Sequence, residues 1–395
     1  MSETERSNLR RVWNPPNPYL SAHREFLEEP PVAELEVWED RSRSILSHNE
    51  SPDLDFRWSV NPYRGCFHAC SYCYARPTHE YLGLGAGSDF ERKILVKPEA
   101  AALLEAAFRK KSWKRETVMF SGVTDCYQPL EAAWGLTRAC LEVCERFANP
   151  VSIVTKSALV RRDKELLVRL SARARVTVSF SIPFLDEGTA RKIEPGAASI
   201  ARRFEAMHDL AAAGLRVGIG VAPIIPGLND RDVPHLLRRA KESGASFAYR
   251  QLLRLPGSVR EVFLHRLQQE LPDSAARIEN RIRETRGGEL SDDRFGRRFN
   301  GTGRYWDAID MLWDVWLKRT GLGDLDRAYE EKAAADQVAA QHAALEPAAG
   351  TLFEDAPPAG ETAAQATPTP QAPASPRGAA RRRARRSPGQ LELPW

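Results

Sequence analysis

The chain has 395 residues, 42% of them hydrophobic, with 57 Lys and Arg against 53 Asp and Glu; this is two or three domains' worth of chain, or one large α/β domain with appendages. No run nears the roughly 18 uninterrupted apolar residues of a membrane span, and Met1-Ser-Glu-Thr-Glu-Arg6 has no apolar signal region. The six cysteines are too few for a disulfide scaffold, so a membrane protein, a secreted mini-domain and a wholly disordered chain are excluded, and a reducing, cytoplasmic location is expected.

Residues 1–55 are charged and proline-rich, with Trp13, Pro15-Pro16 and Pro30-Pro31. They are expected to run extended around the core rather than form a domain. A first strand is expected just before Asn61. After it, Thr117–Phe120, Val151–Thr155, Val176–Ile182, Val217–Val221 and Phe247–Leu252 read as short buried strands. Helical patterns lie between them at about 98–111, 131–147, 161–172, 198–213 and 231–243, and Gly214 and Gly244 close two of these helices. From Thr117 the strands start about 25–40 residues apart, the spacing of βα units in a parallel sheet. About six units are counted, short of the eight of a closed barrel. The expected class is therefore α/β, as a partial barrel or a doubly wound sheet. In either, chemistry belongs at the C-terminal ends of the strands.

Residues 56–330 are expected to hold this body and a C-terminal helical extension. Near 335 the composition turns to Ala, Pro, Gln, Thr and Gly, too poor in apolar side chains to offset the entropy of ordering, so 331–395 is expected to be a disordered tail. The tail carries seven acidic and seven basic residues, which leaves the net charge of +4 in residues 1–330. Six of its arginines lie between Arg377 and Arg386, a run able to bind phosphate or simply to be solvated.

The sharpest motif is Asn61-Pro-Tyr-Arg-Gly-Cys66-Phe-His-Ala-Cys70-Ser-Tyr-Cys73-Tyr-Ala-Arg76, a Cys-x3-Cys-x2-Cys spacing in the loop after the first strand. Three close thiolates suit an iron–sulfur cluster, each holding one iron of [4Fe–4S] and leaving the fourth open. The alternative is a structural zinc with His68 or His79 as fourth ligand. Cys140 and Cys144, at i and i+4 on a predicted helix, are expected to face the core.

Cys-x3-Cys-x-aromatic-Cys, with Tyr72 as the aromatic, resembles the signature of the radical S-adenosylmethionine (SAM) superfamily. Arg57–Arg76, Asp89–Lys97, Val123–Glu131, Val154–Ser157, Phe180–Ile182 and Val221–Ile224 resemble its spore photoproduct lyase-like branch, the "DNA repair photolyases". The likeness spans about 45–320 and implies a partial (β/α)6 barrel. It implies a [4Fe–4S] cluster on Cys66, Cys70 and Cys73, whose open iron binds SAM. Reductive cleavage then gives methionine and a 5′-deoxyadenosyl radical that takes hydrogen from substrate. It also implies Tyr72 beside the adenine, Lys156 on the SAM carboxylate, Ser181 or Ser179 near the ribose, and Ala222-Pro223-Ile224 against the adenine. Many members hold the SAM amino group with a Gly-Glu pair after the second strand. This chain has Ser121-Gly-Val-Thr-Asp125 there, so Ser121, Thr124 and Asp125 are assigned to SAM or substrate. In the branch a hydrogen-donor cysteine precedes a Thr-Ser-Asp run. The corresponding place here is near Val123, and Cys126, after the aspartate, is the candidate donor.

A nucleic-acid substrate is expected, a damaged or modified base, on the branch likeness, the basic excess and segments such as Arg281–Arg286 and Arg294–Asn300, which interleave arginine with apolar residues. The alternatives are a radical SAM enzyme on a protein or small molecule and a non-catalytic metal-binding scaffold. A flavodoxin- or ferredoxin-type reductant is expected. Gln390-Leu-Glu-Leu-Pro-Trp395 resembles the peptide by which bacterial repair proteins dock on the DNA sliding clamp.

Overall fold

The computed structural model describes residues 14–15, 17–19, 34–54 and 56–324. The expected tail, its arginine run and the clamp-like peptide lie outside the described residues, as does most of 1–33. The chain divides after Glu331 into two units, and all described residues belong to the first.

The strands are β1 Glu36–Glu39, β2 Leu46–His48, β3 Trp58–Val60, β4 Tyr63–Arg64, β5 Lys93–Val96, β6 Val118–Phe120, β7 Val151–Thr155, β8 Val176–Ser181, β9 Arg216–Ile224, β10 Phe247–Leu252 and β11 Gly323–Asp324. Eight of them form one sheet in the order β11-β10-β9-β8-β7-β6-β3-β2. The six expected strands are its parallel core, β3 and β6 to β10. A short parallel β11 closes one edge and an antiparallel β2 the other. The described parts of 34–54 therefore supply strands rather than only extended cover. A second small sheet, β1-β5-β4, flanks the loop after β3.

Of the expected helices, four appear within a few residues of their predicted bounds, as Ala100–Phe108, Lys164–Ser171, Ile200–Ala212 and Val233–Glu242. The fifth, 131–147, is broken. Gly135 takes the left-handed φ of +61° and separates Glu131–Trp134 from Leu136–Phe147, a bend that glycine alone makes without steric cost. Among the described residues no helix is long and apolar enough to cross a membrane.

Strand register sorts the side chains into two faces. Val60, Phe120, Ile153, Val178 and Val217 align across the sheet. All are buried in one core with side chains of the flanking helices, such as Leu104, Leu141, Leu167, Met207 and Leu237. The opposite face is richer in small and polar side chains: Ser59, Met119, Ser152, Thr177 and Arg216 form one row, and Ser179 aligns with Gly218, and Ser181 with Gly220. The glycines make room for aromatic rings from β10, since a Cβ on Gly220 would sit 2.5 Å from the Tyr249 ring. An apolar back and a more polar front put the site on the front, at the strands' C-terminal ends.

Candidate active site

The cysteine loop leaves β3 and β4 and is braced from inside. Arg76 is fully buried. Its guanidinium donates to Cys70 O at 2.7 and 3.0 Å, to Ala86 O at 2.9 Å and Gly87 O at 3.2 Å, and pairs with Glu91 at 2.6 Å. Saturating a guanidinium fork with carbonyls and a carboxylate offsets its loss of water. The Cys66 amide bonds Phe90 O, and the Cys73 amide bonds Cys70 O. Cys66 and Cys70 are buried and Cys73 half-buried, all as free thiols.

A strap from the helix Glu187–Ile193 docks on this loop. Ser71 N donates to Ile193 O and Gly196 N to His68 O, both at 3.0 Å. A Cβ at Gly196 would lie 2.1 Å from Phe67 O, so only glycine allows this approach. The strap delivers Glu194 to a buried cluster of polar groups. Its carboxylate accepts a short hydrogen bond from the Tyr72 hydroxyl, faces Lys156 Nζ at 3.5 Å and pairs with Arg203 at 2.9 Å. Burial works against the charged carboxylate, but Lys156 and Arg203 outweigh it and hold Glu194 below the usual range. Lys156 Nζ also donates to Ser181 Oγ and lies 5.6 Å from the Tyr72 ring centroid. Ser181 Oγ donates to Ala222 O at 3.0 Å, and the Ala222–Pro223 peptide is cis. Tyr72, Lys156, Ser181 and Ala222, read separately from the sequence, thus form one connected cluster beside the cysteines. Ser179 is buried one pair of residues down β8.

The residues after β6 are arranged differently. Asp125 accepts from Thr155 Oγ1 at 2.8 Å, Lys156 N at 2.7 Å and Tyr127 N at 2.9 Å, and faces His68 Nδ1 at 3.3 Å. Thr124 Oγ1 donates to Tyr63 O, and Ser121 Oγ accepts from Cys126 N. Ser121 holds a left-handed φ of +74°. In this structure the three side chains bond within the strand end, and Asp125 alone among them holds Lys156 N and His68. Cys126, the candidate hydrogen donor, is fully buried in the hydrophobic core. Cys140 and Cys144 are core residues, as expected.

Each candidate zinc histidine has one ring nitrogen engaged, and His79 Nδ1 is buried without a hydrogen-bond partner. Burial opposes a charged His68, but attraction to Asp125 and Cys66 outweighs it and lifts it to about 10. His79 Nε2 is 2.9 Å from Lys93 O, and burial pulls it down to about 4. Among the described residues no three His, Cys, Asp or Glu side chains converge as a single-ion site requires.

Residues 60–240, which carry this loop and strands β6 to β9, match the family model of the radical SAM superfamily. The chain carries a radical SAM domain. It is 37% identical to an uncharacterized protein of Mycobacterium tuberculosis over 226 residues, 57% of this chain and 66% of that one, so the match spans just under two thirds of that relative's length. It is 29% identical to an uncharacterized protein of Methanocaldococcus jannaschii over 249 residues, 63% of this chain and 89% of that one. Its fold is similar to that of spore photoproduct lyase complexed with dinucleoside spore photoproduct, with a TM-score of 0.50 and 17% identity, covering 73% of this chain and 80% of that one. The open six-strand sheet is thus the superfamily's partial (β/α)6 barrel.

The superfamily implies a [4Fe–4S] cluster and SAM, and the residues fit both. Three thiols that each take a different iron need not converge on one point. Cys70 and Cys73 lie close enough to each other and to Cys66 for each to feel the others' charge. Burial, with Glu194 nearby, pushes the Cys70 thiol up, and burial with Cys66 nearby lifts Cys73 to about 11. Such thiols stay neutral until a metal takes the proton's place. Lys156 and Arg76 oppose this rise and so suit a loop that carries negative charge. Ser71 Oγ, between Cys70 and Cys73, is buried without a hydrogen-bond partner, a donor left for a group bound in the loop. Lys156 and the hydroxyl of Ser181 supply the cation and polar contact an amino-acid carboxylate needs.

Sequence reasoning missed Glu194, Arg203 and the bracing role of Arg76. Pro195-Gly196 marks a turn after a helical stretch, a signal for the strap but not for what it touches.

Proposed function

We propose that the protein is a radical SAM enzyme acting on a nucleic-acid base, damaged or modified. The observation that carries this reading is the cysteine loop, braced by Arg76 at the end of β3 and facing Lys156 across the polar front of the sheet. The nucleic-acid part is supported by the similarity of fold to an enzyme crystallised with a dinucleoside photoproduct and by the basic excess of residues 1–330.

When bound, the cluster and SAM supply a 5′-deoxyadenosyl radical that removes a hydrogen atom from substrate. Cys66, Cys70 and Cys73 hold the cluster. Lys156 pairs with the SAM carboxylate, sharing its charge with Glu194, and Ser181 orients the ammonium. Tyr72 and Ala222-Pro223 flank the adenosine, with Ser179 deeper on the same face. Asp125 fixes the backbone of Lys156, so the cation needs little reorganisation when its anion arrives. A flavodoxin- or ferredoxin-type protein supplies the electron.

The test is transfer of deuterium from uniformly deuterated DNA into 5′-deoxyadenosine, read by mass spectrometry under anaerobic reduction. Deuterium incorporation that disappears in Cys70→Ala is the expected result. SAM cleavage without incorporation from DNA or RNA overturns the nucleic-acid reading.

A further inference from the structure

Two segments read separately in the sequence meet beside the cysteine loop. Tyr74 follows Cys73, is 46% exposed, and its hydroxyl donates to Gly122 O at 2.6 Å. Arg254, just after β10, places its guanidinium carbon 6.0 Å from the Tyr74 ring centroid and 5.8 Å from that of Phe299. Arg298 lies 4.8 Å from Phe299 and 4.8 Å from Phe295. Rings and guanidiniums therefore alternate, Tyr74, Arg254, Phe299, Arg298, Phe295, from the cysteine loop out to a ring that is 50% exposed.

The ladder is built, not incidental. Arg286 is buried and donates to Arg297 O, Asn300 O, Leu253 O and Arg298 O at 2.7–3.2 Å. Leu252 N bonds Phe299 O at 2.9 Å. The loop 294–300 is thus pinned to the end of β10. By contrast, Arg281 and Arg283 pair with Glu284 and Glu279 on their own helix and form an ordinary charged face.

Charge on the ladder is under-balanced. Arg298 is buried and satisfied by Asp53 at 2.7 Å and by the Ser51 hydroxyl, so the imbalance sits at Arg254, which reaches Asp293 only at 3.6 Å, a carboxylate 55% exposed. Arg254 Nε is buried without a hydrogen-bond acceptor.

We infer that this ladder docks an unpaired nucleic-acid strand, with bases stacking on Tyr74 and Phe295 and a phosphate pairing with Arg254, so that one base reaches the cysteine loop. The inference rests on the nucleic-acid reading above and deepens it. Open ring faces set between guanidiniums match single strands, whose bases are free to stack. A duplex hides those faces.

The test uses the full chain and a single-stranded DNA 12-mer carrying 5-iododeoxyuridine, photocrosslinked and mapped by peptide mass spectrometry, with anisotropy on the unmodified oligonucleotide. Adducts at Tyr74 or Phe295 are expected. Phe295→Ala and Arg254→Gln should each bind about tenfold more weakly, within the range of one stacked base. Arg254→Gln should also show a shallower dependence on salt. Adducts confined to other segments, the 377–386 arginines included, overturn the inference. So do affinities of both variants equal to wild type, or equal displacement by polyglutamate. SAM cleavage by the wild type without ladder adducts overturns this inference alone. Ladder adducts without SAM cleavage overturn the enzymatic reading and leave the docking surface standing.

Discussion

Glu194 is the residue on which the site's charge balance turns. It is enclosed with two cations, Lys156 and Arg203, and removing the carboxylate leaves both without their buried anion. Breaking such a pair costs about 3–5 kcal/mol. Glu194→Gln should therefore lower the denaturation midpoint sharply, and an unchanged midpoint would contradict the cluster described here. The pH dependence follows from the depressed carboxyl. Its stabilisation is complete above the unfolded value of about 4.3 and is lost as pH falls through the lower folded value, so wild type should lose more stability than Glu194→Gln in acid. Lys97 gives the opposite case. It is 8% exposed, and burial, with Arg64 nearby, pulls it down to about 8. Between there and about 10.4 the unfolded chain binds more protons, so stability rises with pH. Lys97→Met should be the more stable protein at pH 7, by ~1–3 kcal/mol, with a flatter profile from pH 8 to 10. Urea midpoints at pH 7 and 9.5 decide it, and parallel profiles for the two proteins would refute the assignment. Lys156 was legible because it ends a strand pattern. Glu194 was not, since nothing in Arg191-Lys-Ile-Glu-Pro195 says which distant side chains the carboxylate will meet.

Two elements hold the cysteine loop, the Arg76 brace and the 193–196 strap. The strap allows a clean test, because Gly196 has room for no side chain against Phe67 O. Gly196→Ala should push the strap off the loop, lowering both thermal stability and the iron retained after reconstitution. Full iron content at an unchanged melting temperature would show that the loop stands without it. At this scale the sequence was readable wherever hydrophobic periodicity governs. Val151–Thr155 and Val176–Ser181 were predicted nearly to the residue because each interleaves β-branched or aromatic residues with hydroxyl side chains over a strand's length. The break at Gly135 was missed because the apolar spacing continues through it, from Ala132 to Leu136 and Cys140. The strands β1, β2, β4 and β5 were missed because two to four residues carry too little pattern.

For the whole molecule, the decisive feature is topological. Six parallel strands bring the ends of β3, β7, β8 and β9 together, so Cys70, Lys156, Ser181 and Ala222, up to 152 positions apart in sequence, share one polar front. The six-unit count and the cysteine spacing announced that arrangement. The arginine–aromatic ladder was only half visible. Arg294–Asn300 stood out by composition, but its position beside Tyr74 depends on Arg286 pinning the loop to β10. The measurement that tests the central claim most directly is anaerobic iron and sulfide content, followed by dithionite reduction with SAM. The account predicts about four irons per chain, formation of methionine and 5′-deoxyadenosine, and loss of both cluster and cleavage together in Cys70→Ala. Stoichiometric zinc in place of iron, or a reconstituted cluster that leaves SAM intact, would contradict it.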